Sequence, residues 1–403
     1  MKKIDAKYNE INEEEDKKKR MVVIAKKRKE KNRRIFLLLV MMVMTGIMFA
    51  SSTYAWFTSN KTVSVSDVQV NVTSKNGIQI SADATNWKSV IQLADLLGAQ
   101  AGKYPGAVNQ IPSTANSIEP VSSALNVDAN GKMEMFRGNI LSSNLKGSCS
   151  VGEGAYTTEA DCQAQGGTWT PGTEGENILT ATKENETNGT EGNYVAFDLF
   201  FKVDSDKDVP VYLSAAGSGV KASGADNGIK QASRIAFVEL GHAVAGTSVA
   251  QLQALNAGAA SKVYLWEPNY DIHTPAGVAH ARDVYGITTT ETNGGIDSYS
   301  GVKAEITEDK NILWGSATEE KNATYFKKIT PTYQTKADWI TGTKEIFTLS
   351  SGITKMRIYM WVEGQDVDCE NVASGTNIIY SLQITTEKQD NMKLYEMYSF
   401  FVI

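Results

Sequence analysis

YVAFDLFFKV, residues Tyr194–Val203, alternates without a break: Val195, Phe197, Leu199, Phe201 and Val203 share one parity. A period of two is the signature of a strand lying on a core. Val209, Val211 and Leu213 repeat the pattern after the polar turn Asp204–Asp208 and predict a hairpin partner. Arg234–Leu240 (RIAFVEL) is apolar on both faces, as a central strand is. Lys262–Trp266 predicts a further strand, ended by Glu267-Pro268-Asn269. Met356, Ile358, Met360 and Val362 alternate with Arg357, Tyr359 and Trp361. After the loop EGQDVDCENVASGTN, Ile378, Tyr380, Leu382 and Ile384 predict the return strand. Strands of this kind, separated by Gly, Ser, Thr and Asn, point to an all-β body.

Further toward the N-terminus, Val63 and Val65 share one parity and Val68, Val70 and Val72 the other. The change falls at Ser66-Asp67 and predicts a bulge there. A three-residue Lys75-Asn76-Gly77 loop, with Gly77 left-handed, would pair Val72 with Ile80 and Val70 with Ala82, leaving one face apolar. Trp87–Leu97 carries a helical pattern, and Ser248–Ala260 reads as a short Ala-rich helix. Residues 98–145 are turn-rich, and the stretch near 146–193 reads as a surface excursion holding a Cys loop.

Ahead of this body lies Ile35–Phe57, 23 residues without a charge. As a helix it would span about 34 Å, enough to cross a bilayer. Residues 1–34 form a basic head of net charge +7, whereas Trp56–Ile403 carries −13. That asymmetry places the head in the cytoplasm and the body outside. Two readings of the helix stand open. Thr53 and Ala55 fit the small positions before a cut at Trp56, as in a signal peptide, and would make signal peptidase a partner. Alternatively the helix, 35–55, stays as a membrane anchor. The acidic body argues against nucleic acid.

Few residues suggest chemistry. The three histidines, His242, His273 and His280, sit in no HExxH, and no GxSxG, Walker A or GxGxxG occurs. No catalytic residue is assigned. Glu363, Asp366, Asp368 and Glu370 form an acidic loop after a strand; as oxygen ligands they suit Ca²⁺. A solvated turn is the plainer reading. Glu267, Asp271 and His273 form a second group, suited to a transition metal or to a simple hydrogen-bonded loop. Cys149 and Cys162 bracket a short Gly- and Thr-rich loop, and an exported chain can bridge them, leaving Cys369 unpaired. Trp56, Trp266 and Trp361 suit core or interface packing better than sugar stacking.

The junction Thr53-Tyr54-Ala55-Trp56-Phe57-Thr58-Ser59-Asn60 resembles that of Gram-positive exported proteins cut by the W-type signal peptidase. Those families are TasA, a biofilm-matrix fibre protein, and camelysin. The resemblance covers about residues 45–72. It implies a jelly-roll-like antiparallel β-sandwich with loop and short-helix insertions over 56–403. It also implies a cell-surface structural or interaction protein, with fibre assembly through the strand of Val63, Val65, Val68, Val70 and Val72. Camelysins are described as surface metalloproteases, but the zinc-protease helix motif is missing here. A secreted metal-assisted hydrolase or an anchored ligand-binding module are the alternative functions.

Overall fold

The computed structural model describes residues 63–73, 77–98, 104–112, 118–141, 148–151, 159–170, 178–214, 218–223, 228–268, 270, 272–285, 287–290, 299–309, 323–332, 344–369 and 376–387. Contacts divide the chain into Met1–Thr53 and Tyr54–Ile403, and all described residues lie in the second unit. The basic head, Ile35–Phe57 and the junction Thr53, Ala55, Trp56 therefore lie outside them. Among the described residues no helix is long and apolar enough to cross a membrane.

The body begins with β1 (Val63–Thr73), β2 (Gln79–Ser81), β3 (Val90–Ile91), α1 (Leu93–Gly98), β4 (Asn109–Gln110) and β5 (Phe136–Leu141). A small excursion follows, made of β6 (Ser148–Cys149), α2 (Glu159–Ala164) and β7 (Trp169–Thr170). Next come β8 (Ile178–Lys183), β9 (Val195–Val203), β10 (Val209–Leu213), β11 (Gly219–Ser223) and β12 (Ser233–Ala243). Then α3 (Val249–Gln253), β13 (Lys262–Trp266) and α4 (Pro275–Tyr285) lead to β14 (Tyr299–Val302) and β15 (Ile306–Asp309). The chain continues with β16 (Phe326–Ile329), β17 (Phe347–Leu349), β18 (Gly352–Val362) and β19 (Thr376–Thr385).

Two six-stranded sheets carry the body. The first has the order β17-β10-β19-β1-β3, with β11 also on β19; the second is β13-β12-β18-β9-β2, with β4 also on β9. Both contribute alternate residues to one core. Val68, Val70, Val72, Ile378, Tyr380, Leu382 and Ile384 come from the first sheet. Phe197, Leu199, Phe201, Ile235, Phe237, Met356 and Ile358 come from the second. The inward parity read for the Tyr194–Val203 stretch is the core-facing one.

The connections depart from sequence expectation in a consistent way. β10 does not return beside β9; it crosses to the other sheet and pairs β17 and β19. β18 and β19 likewise lie in different sheets rather than forming a hairpin. Gly77 is left-handed, at φ +66°, yet β2 leaves β1 and joins β9 instead, pairing Ile80 with Phe201. In each case both consecutive strands have an apolar face, and placing one in each sheet buries the two faces against each other. β1 lies parallel to β19, with Val68 opposite Tyr380 and Val72 opposite Ile384, so the pairing is not wholly antiparallel. Its register shifts between Val65 and Asp67, where the bulge was expected.

The second sheet is covered on its outer face too. Tyr194, Ala196, Val238, Leu265, Tyr359 and Trp361 pack there with Val121, Met133, Met135, Tyr299 and Ile329. Phe200 and Ile353 meet Tyr104 and Leu252. This extra layer explains why β18 is buried at every position. It also buries Asp198, Arg234, Lys355 and Arg357 of outward parity, and each must find a partner inside.

Of the Trp87–Leu97 pattern, the middle is extended as β3 and only Leu93–Gly98 is helical. Ser248 opens α3 through a reciprocal capping box with Gln251.

Candidate functional site

The link from β18 toward β19 carries the acidic loop, and the loop is buried. Arg234 of β12, opposite Trp361 in register, reaches across to it. Its Nη2 donates to Asp366 and lies 3.0 Å from Glu267 Oε1, just past β13. Its guanidinium stacks over the Tyr299 ring, 4.9 Å from the centroid. Asp368 sits at the start of α4, where it accepts the Thr274 N–H at 2.7 Å and the Thr274 hydroxyl at 2.9 Å. Its other oxygen lies 2.7 Å from His273 Nδ1. The Asp368 N–H donates to Asp366 Oδ1 at 2.7 Å. Glu363 accepts from Trp361 Nε1 and from the Gln365 N–H, both at 3.0 Å.

Two glycines make room for this loop. A Cβ on Gly277 would lie 2.1 Å from Asp368 Oδ1, and one on Gly228 would lie 2.0 Å from the Asp368 carbonyl oxygen. Burial pushes Glu267 up to about 8, against the pull of Arg234. Burial likewise pushes Glu363 up to about 7 and raises Asp368. Arg234 thus answers Asp366 and Glu267, while burial favours the neutral form of Glu267, Glu363 and Asp368.

A second buried charge group lies on the outer face of the same sheet. Asp198 of β9 and Arg357 of β18 are register partners. Arg357 Nε donates to Asp198 Oδ1 at 2.7 Å and Nη2 to Oδ2 at 3.3 Å. The rest of the guanidinium is taken by the carbonyls of Gly131 at 2.9 Å and Gly106 at 3.1 Å. The Tyr104 hydroxyl donates to Asp198 at 2.6 Å, and Lys355 Nζ is 3.4 Å away. Burial alone would raise Asp198, but Arg357 and then Lys355 hold it below the usual carboxylate range. Burial lowers Lys355, offset in part by Asp198.

Of the residues singled out from sequence, Glu363, Asp366 and Asp368 do come together, and Glu267 and His273 join them. Glu370 and Asp271 lie outside the described residues. The two acidic groups, separate in sequence, meet around Arg234, which supplies the positive charge assigned on sequence grounds to a metal. Among the described residues no group of three or more His, Cys, Asp or Glu is arranged to hold a metal ion. The loop is not a solvated turn: Glu363, Asp366 and Asp368 are all buried. His273 and Asp368, hydrogen-bonded to each other, are 6% and 1% exposed. Trp266 and Trp361 are fully buried in the core, as packing predicted. Val65, Val68, Val70 and Val72 of β1 are buried in their own sheet, and Val63 begins the strand. Cys149 lies on β6, Cys162 is buried on α2, and Cys369 is a buried free thiol in the acidic loop.

Arg234, Asp198 and Arg357 were missed. The signal was present in Asp198 and Arg357: charges of opposite sign inside largely apolar strands. No family profile, curated protein or solved structure matches this chain.

Proposed function

We propose that this chain is an exported structural protein of the cell surface, a jelly-roll-like sandwich that assembles by exchange of its first strand. Ile35–Phe57 would carry it to the membrane, and a cut before Trp56 would free the body outside. One observation carries the reading. β1 fills a slot beside β19 over its whole length, and among the described residues the body continues from its C-terminal end. A strand held so can be supplied by the same chain or by a neighbour, since the parallel ladder and the valine pockets are the same in both cases. The buried charge groups fit a rigid scaffold rather than a reaction centre.

The test compares the chain from Trp56 with one from Thr73, the latter with and without a peptide of residues 56–72. The reading expects the intact chain to form high-mass assemblies with time. It expects the shortened chain to stay monomeric and to bind the peptide. An intact chain that stays monomeric at high concentration, or a shortened chain that ignores the peptide, overturns it.

A further inference from the structure

β1 is one residue longer than the slot it fills. Its 11 residues, Val63–Thr73, run parallel to the 10 of β19, Thr376–Thr385, from end to end. Val65 stands opposite Ile378 and Asp67 opposite Ile379, so Ser66 is the residue with no place on β19. Its side chain holds the bulge instead: Ser66 Oγ donates to the Ile378 carbonyl oxygen at 3.2 Å. The slot does not need this residue. With Ser66 removed, Val63, Val65, Val68, Val70 and Val72 would share one parity, and every other residue of β1 would keep its present partner. Burial agrees with that register. Val65 and Val68 are buried, as are Ile378 and Tyr380, while Asp67 is exposed.

A bulge interrupts the ladder and leaves its extra residue unpaired. Parallel pairing is already the slightly weaker kind per residue. Ser66 thus divides β1 in two. Beyond it the strand is held by two neighbours. β19 takes Asp67–Thr73, β3 pairs with Val70 and Asn71, and the Val72 N–H donates to Ser89 O at 2.8 Å. We propose that Ser66 is a built-in release point, at which Val63–Val65 leaves β19 and returns as a unit while Asp67–Thr73 stays in place. The use of such a point rests on the strand-exchange reading: the opened end of β19, Thr376–Ile378, is where another copy's first strand begins to enter. Its geometry does not rest on that reading.

Amide hydrogen exchange tests it on the full chain in detergent, beside the same chain with Ser66 deleted and beside Ser66→Ala. In the parent, the β19-facing amides of Val63–Val65 are expected to exchange at least about tenfold faster than those of Val68–Val72. Deleting Ser66 is expected to remove this step, with β9, β12 and β18 unchanged, and to slow assembly. Ser66→Ala loses the bond to Ile378 but keeps the extra residue, and is expected to keep the step. No step in the parent, or the same step after the deletion, overturns the proposal. So does a chain that no longer folds without Ser66, since the slot would then need the residue. Loss of the step while neither chain assembles supports the release point and overturns strand exchange. Equal steps in two chains that assemble alike overturn the release point and leave strand exchange standing.

Discussion

Asp198 and Arg357 stand opposite each other on adjacent strands, joined by two bonds of 2.7 and 3.3 Å on the covered face of their sheet. Neither charge reaches water, so each depends on the other. Removing the Asp198 carboxylate leaves buried Arg357 and Lys355 without their counter-charge, which costs about 3–5 kcal/mol. Asp198→Asn is expected to lose that much in urea unfolding. Replacing both, as Asp198→Leu with Arg357→Met, should recover part of it, because the only charge then left without its carboxylate is Lys355, which still donates to the Gln253 carbonyl at 2.8 Å. A single variant as stable as the parent would show that the pair is not closed to water.

The same burial makes stability depend on pH with two opposite limbs. Glu267 and Glu363 are raised from 4.5 to about 8 and about 7 in the folded chain. Between about pH 4.5 and 8 the folded chain therefore keeps protons that the unfolded chain has lost, and stability falls as pH rises through that window. Asp198 acts the other way: its folded pKa is lowered below 3.8, so its contribution is present above that value and lost on acidification. Urea midpoints from pH 3 to 9 should peak on the acid side of neutrality. Glu267→Gln should flatten only the upper limb; a limb of unchanged slope would remove Glu267 as its source.

Parity along a strand says which residues share a face, and the faces of β9, β18 and β19 were legible that way. Parity does not say which sheet a strand enters. Asp204–Asp208 serves a hairpin and a sheet-to-sheet crossing equally well, so β10 was misplaced while its inward residues were not. Covering of the outer face was not legible either, because the covering residues, such as Val121, Met133, Met135, Tyr299 and Ile329, come from stretches of little periodicity. Without that layer Asp198 reads as a solvent-facing charge, and Arg234 as a strand-end cation. The acidic loop and the Glu267–His273 group could each be picked out from composition. Their meeting depends on Arg234, which lies 132 residues from Asp366 in the chain.

Close approach at the start of α4 gives a third test. Gly277→Ala would put a methyl 2.1 Å from Asp368 Oδ1 and break its capture by Thr274 and His273. A loss of about 1–3 kcal/mol is expected from the forced shift. Gly77→Ala has open space around it and a φ of +66°, so it should cost only the left-handed strain, about 1–2 kcal/mol. The two differ most in their effect on pH dependence: Gly77→Ala should lower the whole curve evenly, while Gly277→Ala should change its alkaline limb. Identical curves would mean that the acidic loop is not held through α4.

The excursion β6–α2–β7 supplies the last test. Cys149 lies on β6, which pairs with β7 at Trp169, and Cys162 is buried on the intervening helix. A bridge between the two would close a loop of 14 residues and stabilise the chain by about 3 kcal/mol on the chain-entropy account. Cys369 is a free thiol at 1% exposure, inside the acidic loop. Alkylation without reductant should therefore leave the native chain unlabelled and mark Cys369 alone once the chain is unfolded. Reductant added to the unfolded chain should expose two more thiols. The Cys149→Ser, Cys162→Ser double variant should unfold earlier by the same ~3 kcal/mol while Cys369 stays protected in the native state. Three labelled cysteines in unreduced, unfolded protein would refute the bridge. Rapid labelling of Cys369 in the native chain would instead mean that the Glu363–Cys369 loop opens to solvent, against the closed packing around Arg234.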